Sequence, residues 1–209
     1  MPLNLTGCKH GGRMDKNAIQ NYIENGTVLR NSLLEQTDVL MAVTAAIIFT
    51  FRNNGKVVIF GNGGSAADAQ HIAAEFVSGC FSGGVSLPAI ALTTNTSCLT
   101  AIANDYGYDD VFARQVQSLV KKGDVIIGIS TSGKSINVLK AIKEANKIGA
   151  ITVFLTGKVS NMNLEASQLI AVPSNDTRLI QEVHITIGHL ICSLVGEAFV
   201  TKKQLVLYE

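Results

Sequence analysis

Hydrophobic positions change their period several times along the chain, and each change marks an element. From Asp15 to Phe51 there is no proline and one glycine, Gly26, and apolar residues at Ile19, Ile23, Val28, Leu29, Leu33 and Leu34 approximate helical spacing. The pattern predicts one helix, or two joined near Asn25-Gly26. Asn53-Asn54-Gly55 is the expected stop, with Gly55 able to take the left-handed conformation. Lys56 to Phe60 (KVVIF) reads as a short β-branched strand, Gly61 to Ser65 as a loop, and Ala66 to Val77 as a helix. Pro88 to Leu92 predicts a second strand, Ser97 to Ala103 a short helix, and Asp124 to Ile129 a third strand. Ser135 to Ile148 reads as a helix stopped by Gly149. Ile151 to Thr156 is a fourth strand, Gln168 to Val172 a fifth, and Thr177 to about Lys202 one long helix. Strands separated by helices predict an α/β fold with a parallel sheet covered on both faces. Ligands in such folds sit beyond the carboxyl ends of the strands.

Composition narrows the setting. Apolar residues make up 47% of the 209 positions and charged residues 16%, a low charge content that favours a partly covered surface, as in an oligomer. Seventeen Lys and Arg face sixteen Asp and Glu with no basic block, so no nucleic-acid partner is expected. Cys8, Cys80, Cys98 and Cys192 are scattered without a CxxC pair, which fits a reducing cytoplasm. No apolar run approaches the roughly 20 residues of a membrane span; the most apolar stretch, Met41 to Phe51, ends in Arg52. Residues up to Arg13 lack the apolar centre of a signal peptide. They read as a flexible leader, 1–13, before one domain, 14–209, with Met14 a candidate natural start.

Two strand–loop–helix junctions carry chemistry. Gly61-Asn62-Gly63-Gly64-Ser65 lets backbone approach a ligand closely, and Ser65 is placed to cap a helix whose free N–H groups favour an anion. Ser130-Thr131-Ser132-Gly133-Lys134-Ser135 brings four hydroxyls to another helix start. Each loop alone is also what ordinary capping looks like; two of them after two strands point to a phosphate ester. Gly128 to Ser135 (GISTSGKS) matches the nucleotide-binding pattern GxxxxGK[ST]. However, the loop interior lacks further glycines, and the following strand ends in Thr156 rather than a magnesium-binding acid.

A second constellation lies on helices. His71 and Glu75 are four apart and share a face; Gln181 and His189 are eight apart and share another. His184, three from Gln181, lies near it or is rotated away. Such donors suit a divalent ion such as zinc, with Gln a less usual ligand. The same residues could equally be polar groups satisfying one another.

Four segments together make the chain recognisable: VVIFGNGGSAADAQHIAAEFVSG (from Val57), LPAIALTTNTSCLTAIANDYGYDDVF (from Leu87), GDVIIGISTSGKSINVLKAI (from Gly123) and IQEVHITIGHLIC (from Ile180). From Ile19 to Val200 the sequence resembles the sugar isomerase (SIS) domain family, and within it the bacterial phosphoheptose isomerases. The resemblance implies a three-layer, Rossmann-like sandwich with a five-stranded parallel sheet and long terminal helices. It implies a homotetramer with interfacial active sites and one Zn2+ per subunit. The implied metal ligands are His71, Glu75, Gln181 and His189, with Glu75 and His189 also the acid–base pair. Asn62, Gly63, Gly64 and Ser65 match the substrate loop, and Ser130, Thr131, Ser132 and Ser135 the phosphate cradle. Asn104, Asp105, Glu75 and Gln181 match further substrate contacts. The implied reaction converts sedoheptulose 7-phosphate, a phosphorylated seven-carbon sugar, to D-glycero-D-manno-heptose 7-phosphate through an enediol. Its product would feed heptose precursors of lipopolysaccharide, capsule or related surface glycans.

Two departures stand against the substrate assignment. Where the family places basic residues after EFVS, Gly79 to Ser86 carries no positive charge. In Thr177-Arg178-Leu179-Ile180-Gln181 the basic residue is one position early, turning it about 100° on a helix. These keep two other readings open: an isomerase of another phosphosugar, and a non-catalytic SIS tetramer that binds partners in replication initiation or regulation.

Overall fold

In the computed structural model, which describes residues 16–158 and 165–200, five strands form one parallel sheet in the order β2-β1-β3-β4-β5. β1 (Val57–Gly61), β3 (Val125–Ser130) and β4 (Ile151–Thr156) are central and almost wholly buried, while β2 (Ala89–Ala91) and β5 (Gln168–Ala171) form the edges. Their unbroken β-branched runs follow from burial on both faces. On one face α2 (Thr37–Arg52), α3 (Gly64–Ser78) and α7 (Thr177–Glu197) enclose Val57, Ile59, Val125, Ile127 and Leu155. On the other, α4 (Thr96–Tyr106), α5 (Ala113–Leu119) and α6 (Ile136–Ile148) cover Val58, Phe60, Ile126 and Phe154. The α/β expectation holds, strand for strand, within a residue or two at each end. The leader 1–13, the start at Met14 and residues 201–202 of the expected final helix lie outside the described residues; within them that helix ends at Glu197, short of the expected run through Val200.

Four local expectations are corrected. The N-terminal helix pair breaks at a 3-10 turn, Ser32–Gln36, between α1 (Lys16–Asn31) and α2, and Gly26 stays inside α1. Tertiary contacts set that break. Leu33 enters the core, and the Gln36 amide pairs with the edge of β5, donating to Ala171 O (3.0 Å) and accepting from Ala171 N (3.1 Å). After α2 the left-handed residue is Asn54 (φ 59°), not Gly55. Gly55 is needed for space, since a Cβ there would stand 2.7 Å from Thr50 Cγ2. α3 starts at Gly64, with Gly63 at its N-cap position, so Ser65 is a buried residue of the first turn rather than the cap. Finally, α5 and a short 3-10 turn, Tyr108–Asp110, fill a stretch that hydrophobic period alone left unassigned.

Two helical stretches, residues 16–52 and α7, are long and apolar enough to cross a membrane by length and composition, contrary to the run-length argument from sequence. In α7 the apolar side chains Ile180, Val183, Ile187, Ile191 and Val195 are buried in the core shared with α3 and the sheet. The apolar character of that helix is therefore accounted for by packing.

Candidate active site at the strand ends

β1 continues to β2 on one side of the sheet, whereas β3 continues to β4 on the other. The crevice between β1 and β3 is therefore the topological switch point, where open α/β sheets bind ligands. Both glycine- and serine-rich loops open there, because Gly61 of β1 is in register with Ile129 of β3. Gly61 has no room for a side chain: a Cβ would lie 2.7 Å from Ser65 Cβ and 2.9 Å from Ile129 O. Gly63 takes a left-handed φ of 57°, and the turn closes through Ser65 N to Asn62 O (3.0 Å) and Ala66 N to Gly63 O (3.0 Å).

The second loop folds on its own hydroxyls. Ser130 Oγ lies 2.8 Å from Ser135 Oγ, Lys134 N donates to Ser132 Oγ (3.2 Å), and Gly133 N donates to Ser130 O (2.9 Å). Ser135 occupies the N-cap position of α6 without a side-chain capping bond, leaving first-turn N–H groups for an anion. Thr131 is half-buried, and Ser132 and Lys134 are exposed.

The two loops are joined by side chains. Asn62 Nδ2 donates to Asn137 Oδ1 (2.9 Å) and Asn137 Nδ2 donates back to Asn62 Oδ1 (2.9 Å). Tyr108 Oη donates to the same Asn62 oxygen (3.2 Å). Neither Asn137 nor Tyr108 stood out in the sequence. Asn104 and Asp105 lie just before this turn at the exposed end of α4, hydrogen-bonded to each other (2.8 Å).

Beside the loops, α3 and α7 bring three donors together. His71 Nε2 is 3.1 Å from Glu75 Oε1 and 3.0 Å from His189 Nε2, and the ligand atoms of all three residues lie within 4.8 Å of one another. His71 Nε2 carries either one proton or one lone pair. Neutral, it can serve one neighbour well but not both, and a carboxylate facing a lone pair is repulsive. A divalent cation satisfies all three at once, and two imidazoles with one carboxylate are a donor set suited to zinc. These residues fit the ion. His71 and His189 are exposed in the single chain and Glu75 is half-buried. Gln181 lies over the first loop, its side chain so close to Gly64 that a Cβ there would stand 2.7 Å from Gln181 Cδ.

His184 turns away from this cluster. It is fully buried, its Nε2 meets Thr156 O at 3.1 Å, and its Nδ1 has no hydrogen-bond partner among the described residues. Burial lowers its pKa to about 4, only partly offset by the Thr156 carbonyl. Asp68, one turn before His71, is pushed up to about 6 by burial, with His71 opposing. The Cys80 thiol is raised by the neighbouring Glu75 carboxylate first, then by desolvation.

Both departures have a structural counterpart. The uncharged loop folds back on its own chain: Ser82 is buried and bonded to Gly79 O (3.2 Å), and the Phe81 ring lies 6.2 Å from that of His189. Leu179 is buried, while Arg178 pairs with Asp176 (2.8 Å) and lies over the Tyr22 ring. A cavity of about 560 Å³ between β2, α4 and α5, walled by Ile90, Leu92, Ile102 and Leu119, lies at the sheet edge and away from the switch point.

Comparison with known proteins places the chain in a family. The SIS domain matches residues 21–157. A phosphoheptose isomerase of Roseiflexus is 51% identical over 80% of this chain and 86% of its own length. One from Nitratiruptor is 55% identical over 75% of this chain and 85% of its own. The solved phosphoheptose isomerase of Neisseria gonorrhoeae superposes with a TM-score of 0.79 at 38% identity, covering 87% of this chain and 98% of that one. This chain belongs to the SIS domain family, in its phosphoheptose isomerase branch.

Proposed function

We propose that the protein interconverts sedoheptulose 7-phosphate and D-glycero-D-manno-heptose 7-phosphate by proton transfer through an enediol. The observation that carries this reading is the juxtaposition of His71, Glu75 and His189 with two anion-seeking loops at the switch point. The second loop, with Ser130, Thr131, Ser132 and Ser135, holds the phosphate, and Asn62 to Ser65, Asn104, Asp105 and Gln181 border the sugar. Binding energy from the phosphate end orients the carbons being changed.

Glu75 takes a proton from carbon 1 of the open-chain ketose, and His189 delivers one at carbon 2; the reverse assignment is the alternative for the same pair. His71, Glu75, Gln181 and His189 would hold one Zn2+, which when bound supplies positive charge to offset the negative charge developing on the substrate oxygens. Exposure of the cluster supports a site completed between subunits of a homotetramer. So do Ile19, Ile23, Val28, Leu34, Met41 and Phe49, apolar side chains left uncovered on α1, the 3-10 turn and α2. A phosphorylated substrate fits a cytoplasmic enzyme supplying heptose for surface glycans.

The test is incubation of zinc-replete protein with sedoheptulose 7-phosphate, and separately with five- and six-carbon ketose phosphates. An aldoheptose phosphate formed in preference to the shorter products supports the reading. Preference for a shorter sugar assigns a different substrate, and no turnover by an intact, metal-loaded oligomer favours a binding role.

A further inference from the structure

We infer that Asn137 is a positioning residue that clamps the two ligand loops together, and that Asn62 serves the site through its backbone rather than its side chain; this rests on the isomerase reading above. The amide of Asn62 is fully engaged at its oxygen and paired at its nitrogen. Its Nδ2 and Oδ1 both bond to Asn137 at 2.9 Å, and its Oδ1 also accepts from Tyr108. Asn137 is only 3% exposed, and its Oδ1 also accepts from Val138 N (2.9 Å). A reciprocal amide pair needs one donor and one acceptor on each side, so only another amide completes it. The pair spans the switch point, linking the turn after β1 to the first turn of α6, whose N-terminus meets the phosphate. It thereby fixes the distance between the phosphate anchor and the sugar-facing backbone of Gly63 and Gly64. A small error in that distance misplaces the reacting carbons, which costs up to about 100-fold in rate.

The experiment compares wild type, Asn137→Ala, Asn62→Ala and the double variant in full-length, zinc-replete protein. Two readouts are taken: steady-state kinetics with sedoheptulose 7-phosphate, and hydrogen exchange of the 61–66 backbone amides. Each single variant is expected to lower kcat tenfold or more, with KM changed less than about threefold. The double variant should be no worse than the poorer single one, as for a shared interaction. Exchange in 61–66 should accelerate at least tenfold in Asn137→Ala while the later turns of α6 stay protected. Asn137→Asp should not rescue, because it faces two oxygens toward each other. Multiplicative single effects, or kcat within twofold of wild type in Asn137→Ala, would overturn the clamp. If wild type does not convert the heptose, the isomerase reading fails by itself. The exchange measurement then decides the clamp, and unchanged exchange in Asn137→Ala rejects it.

Discussion

Gly188 lies so close to Ile72 that a Cβ built on it would stand 2.5 Å from Ile72 Cγ1 and 2.6 Å from Cδ1. These two residues are the immediate neighbours of His189 and His71. A close contact of α3 and α7 therefore sits next to the imidazole pair, whose nitrogens, 118 positions apart in sequence, come within 3.0 Å.

Replacing Gly188 with valine should push the helices apart, because Ile72 is 2% exposed and has nowhere to go. Overpacking of this kind costs about 1–3 kcal/mol. Zinc affinity, read by calorimetry, should fall at least tenfold alongside a lower Tm. Unchanged affinity would show that the cluster does not depend on this contact.

Metal binding should be visible as stability. Ligand at 100 times its Kd stabilises a folded protein by about 2.7 kcal/mol, so adding zinc to chelated wild type should raise Tm by several degrees. His71→Ala should abolish most of that rise while leaving the metal-free Tm nearly unchanged, since the His71 side chain is 48% exposed.

Gly64→Ala separates site geometry from folding. The added methyl meets the end of the flexible Gln181 side chain rather than backbone, so Gln181 can swing away at little cost in stability. Displacing it from the loop should lower kcat/KM at least tenfold with Tm within a few degrees of wild type. Thermal melts and kinetics on the same preparation check both halves.

His184 predicts a pH dependence of stability. Unfolded, its imidazole binds a proton near 6.5; folded, it does so only near 4. Between those values the unfolded chain holds more protons, so stability falls as pH drops from 6.5 to 4. A shift of this size is worth about 3 kcal/mol. Metal-free His184→Leu should start less stable, because Thr156 O loses its donor, but its stability should decline less between pH 7 and 4. Urea unfolding at several pH values gives the difference, and parallel curves would refute it.

The sheet was legible because runs such as Val57 to Phe60 and Ile151 to Thr156 are buried on both faces and bounded by glycine or polar turns. The break at Ser32–Gln36 was not, since it depends on Gln36 reaching Ala171, 135 positions away. α5 escaped because seven residues without a capping signal carry too little period. In the site, helical spacing alone paired His71 with Glu75. Bringing His189 to them required the family resemblance or the fold, as Gly188 signals no particular partner. His184 shares α7 with Gln181 and His189, and only packing showed that it faces the core. Asn137 had the look of an ordinary residue in a first helical turn, and its bond to Asn62 crosses 75 positions.

The central claim is that Glu75 and His189 act as separate groups, one removing a proton from carbon 1 of a bound ketose phosphate and the other delivering a solvent-derived one to carbon 2. Its most direct test is conversion of sedoheptulose 7-phosphate in D2O, with the product analysed by mass and NMR for wild type and Glu75→Gln. Wild type should form aldoheptose phosphate carrying deuterium at carbon 2, and Glu75→Gln should be slower by about 100-fold or more while still binding the sugar phosphate. Product formed without deuterium at carbon 2, or near-normal turnover by Glu75→Gln, would contradict the account.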